Sequence, residues 1–406
     1  MGCVQISLPR KWLYAARGLP KGATVLSLKQ AKVRRETPLD TSRGYTLPLM
    51  DFMETEYQGI ELVSNADALM QAFHKAKKGS YWKTSVQRYG YEIWENTYAT
   101  RQALNSGTYR QRDFVEFDLS ERGKHRHIKS IHIIDRVVQR SLCDNVLTPR
   151  TVPHLIYDNG ASQEGKGVDF TRARLEKHLH DFYRRDGSNK GYAVLIDFHN
   201  YFGSLDHDIL KAMYRKLIPE DDLMRLVEYL IDLNGETGLG IGSQISQNAG
   251  VFYRSPIDQY FKVCKGLKYY DVYMDDTCYI CRTKAEARAM LDDFRRLSHD
   301  MRLTINEKKT QIVKLSRGFT FLKVRYVLTS SGKLLKYQSK DTFKRERRRL
   351  KAFKRKGLPQ KCIEDAYKSW RYSVSKCKNN YHRIRRTDAL FRKLFPNYSY
   401  RRKDKK

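Results

Sequence analysis

Apolar positions recur with a helical period in some stretches of this chain and with a strand period in others, and the changes of period mark its elements. From Asn65 to about Arg150 apolar residues are sparse, with Trp82, Tyr89, Tyr91, Trp94 and Tyr98 interleaved among Lys and Arg. Helices and loops facing a charged ligand have this texture. Val137, Val138, Leu142 and Val146 share one face of a helix predicted over 134–146, and a second helix over 169–183 follows a loop, 160–167, that holds Lys166. The run 192–196 reads as a buried strand leading into Asp197. A helix over 222–233 and a glycine-rich turn, Gly238 to Gly242, precede a helix expected over 245–262. Strands over 268–274 and 277–281 then flank Asp275-Asp276, which read as a hairpin turn. Thr283 and Glu286 have capping-box spacing, and Ala287, Met290, Leu291, Phe294 and Leu297 form one stripe of the helix behind them, before a strand over 310–315.

The order β, α, β, β, α, β is the split βαβ arrangement of a ferredoxin-like sheet, so the fold class is α+β. In such a sheet the first strand and the hairpin lie side by side. Asp197 and Asp275 can therefore meet although 78 positions separate them.

Charge changes the picture next. Lys+Arg number 78 against 45 Asp+Glu, a net of +33 on 406 residues, which points to a polyanionic partner. Residues 331–406 alone hold 27 Lys+Arg against 6 Asp+Glu. That segment is no bare tail, because Phe343, Leu350, Phe353, Ile363, Ala366, Tyr367, Trp370 and Val374 recur at helical spacings. Basic helices broken near Gly357-Leu358-Pro359 are expected, with 401–406 a solvated run. With 40% apolar residues the chain can bury a core, which excludes general disorder. No apolar run reaches the ~20 residues of a membrane span, and the start carries no secretory pattern, so a soluble cytoplasmic protein with seven reduced cysteines is expected. Cys278 and Cys281 form a CxxC without a second pair and point to opposite faces of a strand, which argues against zinc. His125, His127 and His132 lack ligand spacing and read as basic-loop contacts, and Gly238, Gly240 and Gly242 follow a helix, unlike a dinucleotide fingerprint.

Carboxylates converging at strand ends suit hard cations, and two Mg²⁺ ions ~4 Å apart stabilise both the attacking and the leaving oxygen of an in-line phosphoryl displacement. The competing reading makes Asp275-Asp276 a plain turn and Asp197 a strand terminator.

Tyr273-Met274-Asp275-Asp276 has the form of the YxDD box of reverse transcriptases, and further segments resemble that family in order and spacing from about Lys124 to Arg325. Asp197 to Phe202 resembles its first catalytic segment, and Leu303 to Thr310 and Phe321-Leu322-Lys323 look like the two segments after the YxDD box. Lys124-His125-Arg126 and Asp135-Arg136-Val137-Val138-Gln139 are similar to the fingers of bacterial members of the group II intron-like lineage, whereas the first hundred residues match no motif. The resemblance implies a right-hand polymerase making cDNA from dNTPs on an RNA template. It implies an N-terminal extension over 1–75, fingers over 76–190, a palm over 191–329 and a basic helical thumb and tail over 330–406. By it, Asp197 and Asp275 bind two Mg²⁺ ions, with Mn²⁺ as a substitute, and Asp276 supports them. Phe202 takes the steric-gate position that favours dNTPs, with a core aromatic as the alternative. Lys124 and Arg126 clamp the triphosphate, although Arg122 and Lys129 are equally available, and either Lys309 or Lys308 approaches the leaving pyrophosphate. Phe321, Leu322 and Lys323 take the primer grip at the thumb junction.

Many family members carry Gln-Gly followed by Ser-Pro where this chain reads Ile241-Gly242-Ser243-Gln244-Ile245-Ser246-Gln247. That form resembles the enzymes of diversity-generating retroelements, and related defence-associated bacterial enzymes carry similar variants. It implies that Gly242 shapes the nucleotide pocket and that Gln247 lies near the templating base. The expectation is a bacterial or phage-encoded enzyme acting on a structured or repeat RNA, with room for an accessory protein. The rivals are a phage-defence polymerase copying a dedicated non-coding RNA and an idle RNA-binding scaffold with a polymerase fold.

Overall fold

The structure, a computed structural model, describes residues 57–400 apart from 122–123. Arg122, the run 401–406 and most of the expected N-terminal extension therefore lie outside the described residues, as do the side chains of Lys124 and Arg126.

After a single helical turn, Glu61–Ser64, come three longer helices, α1 (Ala66–Ala76), α2 (Thr84–Tyr91) and α3 (Ile93–Asn105), followed by a hairpin of β1 (Val115–Glu121) and β2 (Lys124–Ser130) and then by α4 (Ile133–Leu142). Asn65 caps α1 by accepting from Ala68 N at 2.8 Å, and Leu69 and Phe73 of α1 share a core with Val137, Val138 and Leu142 of α4. The helix expected over 134–146 is thus present, although its last turn widens into a π-helical segment, Cys143–Leu147. Next comes α5 (Val168–Asp186), closed by Gly187 at φ +62°, a left-handed cap that glycine adopts without a Cβ clash.

The central sheet follows. Its strands β3 (Tyr192–Ile196), β4 (Tyr270–Tyr273), β5 (Asp276–Cys281) and β6 (Gln311–Lys314) lie in the order β4-β5-β3-β6, all antiparallel, which is the ferredoxin-like order the element sequence predicts. The crossover from β3 to β4 runs through α6 (His207–Arg215), α7 (Asp221–Asp232), α8 (Gln244–Tyr253) and α9 (Ser255–Gln259); α10 (Lys284–Asp300) joins β5 to β6. Side chains alternate cleanly. Val194, Ile196, Tyr279 and Cys281 join a core with Phe294 and Leu291 of α10, while Ala193, Cys278 and Ile280 join another with Leu175, Leu179 and Phe182 of α5. Thr283 Oγ1 accepts from Glu286 N at 3.1 Å, the cap read from sequence. All six described cysteines are free thiols.

The helix expected over 245–262 is broken. It stops at Arg254, resumes with Pro256 in its first turn as α9, and ends in a π-helical segment, Tyr260–Cys264. Proline lacks the N–H that a continuous helix would need there.

A second antiparallel sheet, β7 (Phe319–Phe321), β8 (Val324–Leu328) and β9 (Leu334–Gln338), pairs residues on either side of 329–330. The basic C-terminal helices are α11 (Lys340–Lys356), α12 (Gln360–Ser375) and α13 (Tyr381–Leu394), with Gly357 at φ +58° between the first two. Leu350, Ile363, Tyr367 and Phe391 form their core, in which the Tyr367 and Phe391 rings stack 4.2 Å apart. No helix among the described residues is long and apolar enough to cross a membrane.

Candidate catalytic centre

Strand β3 ends at Ile196, opposite Thr277 of β5, and β4 meets β5 through the pair Tyr273↔Asp276. This register brings Asp197 to the two-residue turn Met274-Asp275 and to Asp276, which opens β5 rather than sitting in the turn. All three acids are half-buried. Burial pushes the carboxyl of Asp276 up to about 6, with the charges of Asp275 and Asp197 adding to it. Asp275 is raised as well, first by burial and then by Asp197. Three acids in one low-dielectric corner repel each other and favour protons or an external cation.

One cation of the chain answers part of that charge. Lys309 Nζ donates to Asp197 Oδ2, which holds the ammonium above its ordinary range. The segment carrying Lys309 is tied to the same strand end, because Asn306 N donates to Asp197 O at 2.8 Å and His199 N to Thr304 O at 2.8 Å. Of the neighbouring pair, it is therefore Lys309 that reaches the acids.

The turn itself is fastened from beneath. Met274 adopts φ +53°, a left-handed conformation that costs a non-glycine residue about 1–2 kcal/mol. Arg254, fully buried, donates Nη1 to Met274 O at 2.6 Å, Nη2 to Thr277 Oγ1 at 2.7 Å and Nη2 to Asp258 Oδ1 at 2.8 Å. Tyr270 Oη completes the network by donating to Asp258 Oδ1 at 2.8 Å. Sequence reading missed Arg254. Its spacing to Asp258 was the available signal, but such pairs are usually surface pairs.

Phe202 lies in a 3-10 turn, Tyr201–Ser204, against α8. A Cβ on Gly250 would come 2.7 Å from the Phe202 ring, so the glycine makes room for it, and Phe202 O accepts from Leu239 N at 2.7 Å. Gly242, at φ +127°, lets the turn approach β2, since a Cβ there would lie 3.2 Å from Lys129 O. Ser243 caps α8 by accepting from Ser246 N at 3.1 Å, and Gln247 is exposed on the same helix. Lys124 and Arg126 fall on β2.

Phe321 is buried in the core beneath β7, while Leu322 and Lys323 form the β7–β8 turn at φ +44° and +68°. Arg172 Nε of α5 donates to Leu322 O at 3.2 Å and holds that turn. This contact was also missed.

A separate buried group, Asp158, His178 and Asp271, brings three potential metal-ligand atoms within 4.8 Å of one another. His178 Nδ1 lies 2.8 Å from Asp271 Oδ2, but Asp158 is engaged by Arg174 at 2.5 Å and Lys262 at 2.6 Å. Burial opposes the charge on Asp158, and those two cations outweigh it and hold the carboxyl below its ordinary range. The group ties α5 to β4 through the loop before α5.

A family model described as reverse transcriptase (RNA-dependent DNA polymerase) matches residues 116–326, just over half of the chain. No curated protein matches. Among solved structures, telomerase from Candida albicans in complex with a TWJ fragment of telomeric RNA is similar at 10% identity and TM-score 0.46, covering 72% of this chain and 56% of its own. Apo telomerase from Candida tropicalis is similar at 12% identity and TM-score 0.44, covering 75% and 64%. The chain thus spans less than two thirds of the length of either.

Proposed function

The chain belongs to the reverse transcriptase (RNA-dependent DNA polymerase) family, and from that premise we propose that it makes cDNA on an RNA template by two-metal nucleotidyl transfer within a diversity-generating retroelement. The observation that carries the reaction is the antiparallel register that joins the end of β3 to the β4–β5 turn, so that Asp197, Asp275 and Asp276 act on one another. Their donors are carboxylate oxygens short of compensating charge, which fits a pair of Mg²⁺ ions or Mn²⁺ in their stead. Asp197 and Asp275 would hold both ions, with Asp276 in support. When bound, such ions supply Lewis-acid stabilisation of the attacking and leaving oxygens.

The primer 3′-hydroxyl attacks the α-phosphate of a dNTP, and pyrophosphate leaves. Lys309, already beside Asp197, is at hand to neutralise the leaving charge. Phe202 excludes a ribose 2′-hydroxyl, Lys124 and Arg126 hold the triphosphate, and the Phe321-Leu322-Lys323 hairpin supports the primer. Gln247, exposed on α8, stands beside the templating base, where an amide alters pairing. The Gly242-x-x-x-Ser246-Gln247 pattern supports diversification of a target gene.

The test is primer extension on an RNA template with Mg²⁺ and labelled dNTPs, comparing the wild type with Asp275→Ala and sequencing the product. Extension lost in the variant is expected, with errors concentrated at template adenines and ribonucleotides admitted by Phe202→Ala. Faithful or repetitive cDNA from a dedicated non-coding RNA would reassign the enzyme to defence. Tight RNA binding by both proteins without extension on any template would leave only a scaffold.

A further inference from the structure

A cavity of about 160 Å³ opens between α1, α4 and the first residue of α8, lined in part by Lys75, Arg136, Gln139, Arg140 and Gln244. Three cations face it, and one carboxylate answers two of them. Asp144 Oδ2 accepts from Lys75 Nζ at 2.8 Å and from Arg140 Nε at 2.9 Å, and Arg140 Nη1 also donates to Gln244 Oε1 at 3.1 Å. Arg136 is different. It is half-buried, yet its side chain makes no hydrogen bond or ion pair among the described residues, and burial lowers its guanidinium from its ordinary range.

One turn further along α4, Gln139 is only 2% exposed. Its Nε2 donates to Gln111 Oε1 at 2.8 Å, while its own Oε1 is buried without a donor among the described residues. A desolvated charge and a desolvated acceptor, each without a partner among the described residues, stand on one face of one helix, and their residues line one cavity. A buried polar group left so costs folding free energy. A ligand that satisfies both must carry an anion for Arg136 and a hydrogen-bond donor for Gln139, three residues apart on α4.

We propose that this cavity binds one phosphate–ribose unit of RNA, with the phosphate on Arg136 and the ribose 2′-hydroxyl donating to Gln139 Oε1. Guanidinium is the side chain suited to forked phosphate contacts, and the 2′-hydroxyl is the donor that DNA lacks. The volume is that of about five waters, enough for the sugar–phosphate edge but not for a base pair. Gln244, on the cavity wall, opens the helix whose Gly250 packs on Phe202. The inference rests on the RNA-template reading and adds to it a means of telling RNA from DNA through the backbone.

The experiment uses the full chain and RNA oligonucleotides in which a single 2′-deoxy position is walked along the strand, read by equilibrium binding. In the wild type one position should lose about tenfold in affinity, and that position-specific loss should vanish in Gln139→Leu. Arg136→Gln should weaken RNA and DNA alike and flatten the slope of log K against log salt by about 1. A uniform response along the strand, or a loss that survives in Gln139→Leu, overturns the site; the scan on the wild type stands even if a variant fails to fold. Primer extension on the unmodified RNA is run beside it. Position-specific binding without extension would sink the polymerase reading alone, and extension without a 2′-deoxy effect would sink this site alone.

Discussion

Asp276 combines a demand for charge with a setting that resists it. Its carboxyl titrates near 6 in the folded chain and near ~4 when unfolded, so between those values the folded state holds more protons. Stability then falls as pH rises through that window, by about 2–3 kcal/mol, when no divalent ion is present. Thermal unfolding in EDTA should show a melting temperature dropping from pH 4.5 to 7, a flatter profile for Asp276→Asn, and recovery at pH 7 on adding Mg²⁺; equal slopes in both proteins would refute this. Arg254 works the other way, as a charge the fold has fully enclosed. Arg254→Met should destabilise by about 3–5 kcal/mol, because Asp258 would be left buried and unpaired. Denaturant unfolding measures it, and a loss below 1 kcal/mol would mean the network is dispensable. The three acids were legible in the sequence because a strand that ends in a carboxylate and an acidic hairpin are local patterns. Arg254 was not, since its burial depends on a helix break and on a turn 20 positions away.

Among the elements, the β7–β8 hairpin turns on Leu322-Lys323, two residues with side chains in a geometry that Asn-Gly fills with less strain. Replacing the pair by Asn-Gly should raise the melting temperature while lowering primer extension, if the tip is kept for contact with the primer. A gain in stability with full activity would make the turn merely tolerated. Helix α3 presents Trp94 and Tyr98, 68% and 66% exposed, one turn apart, after Tyr91 at the end of α2. Stacking on single-stranded bases is worth about 1–3 kcal/mol per aromatic. Trp94→Ala should therefore weaken single-stranded RNA binding about tenfold without changing the melting temperature; unchanged affinity would return the ring to plain surface. The sheet strands were legible from their period and the α8–α9 break was not, because apolar spacing continues across Pro256. Strands β7 to β9 escaped notice because they are three to five residues long, with basic residues interspersed.

On the scale of the whole chain, a net charge of +33 and a basic helical C-terminal segment agree with a family whose substrate is a nucleic acid. Fold class and the meeting of the three acids were legible together because strand order, not sequence distance, decides which carboxylates lie side by side. The cavity beside α4 was out of reach, since it arises from three elements far apart in the chain and from groups defined by what they fail to contact.

The alternation of β5 has one more consequence. Cys278 and Cys281 sit three residues apart on one strand yet belong to different cores, one under α5 and the other under α10. Each is a native chemical clock for the lifting of its own layer. Timed thiol labelling would reveal whether the two sides of the sheet open together or one before the other, with no introduced probe.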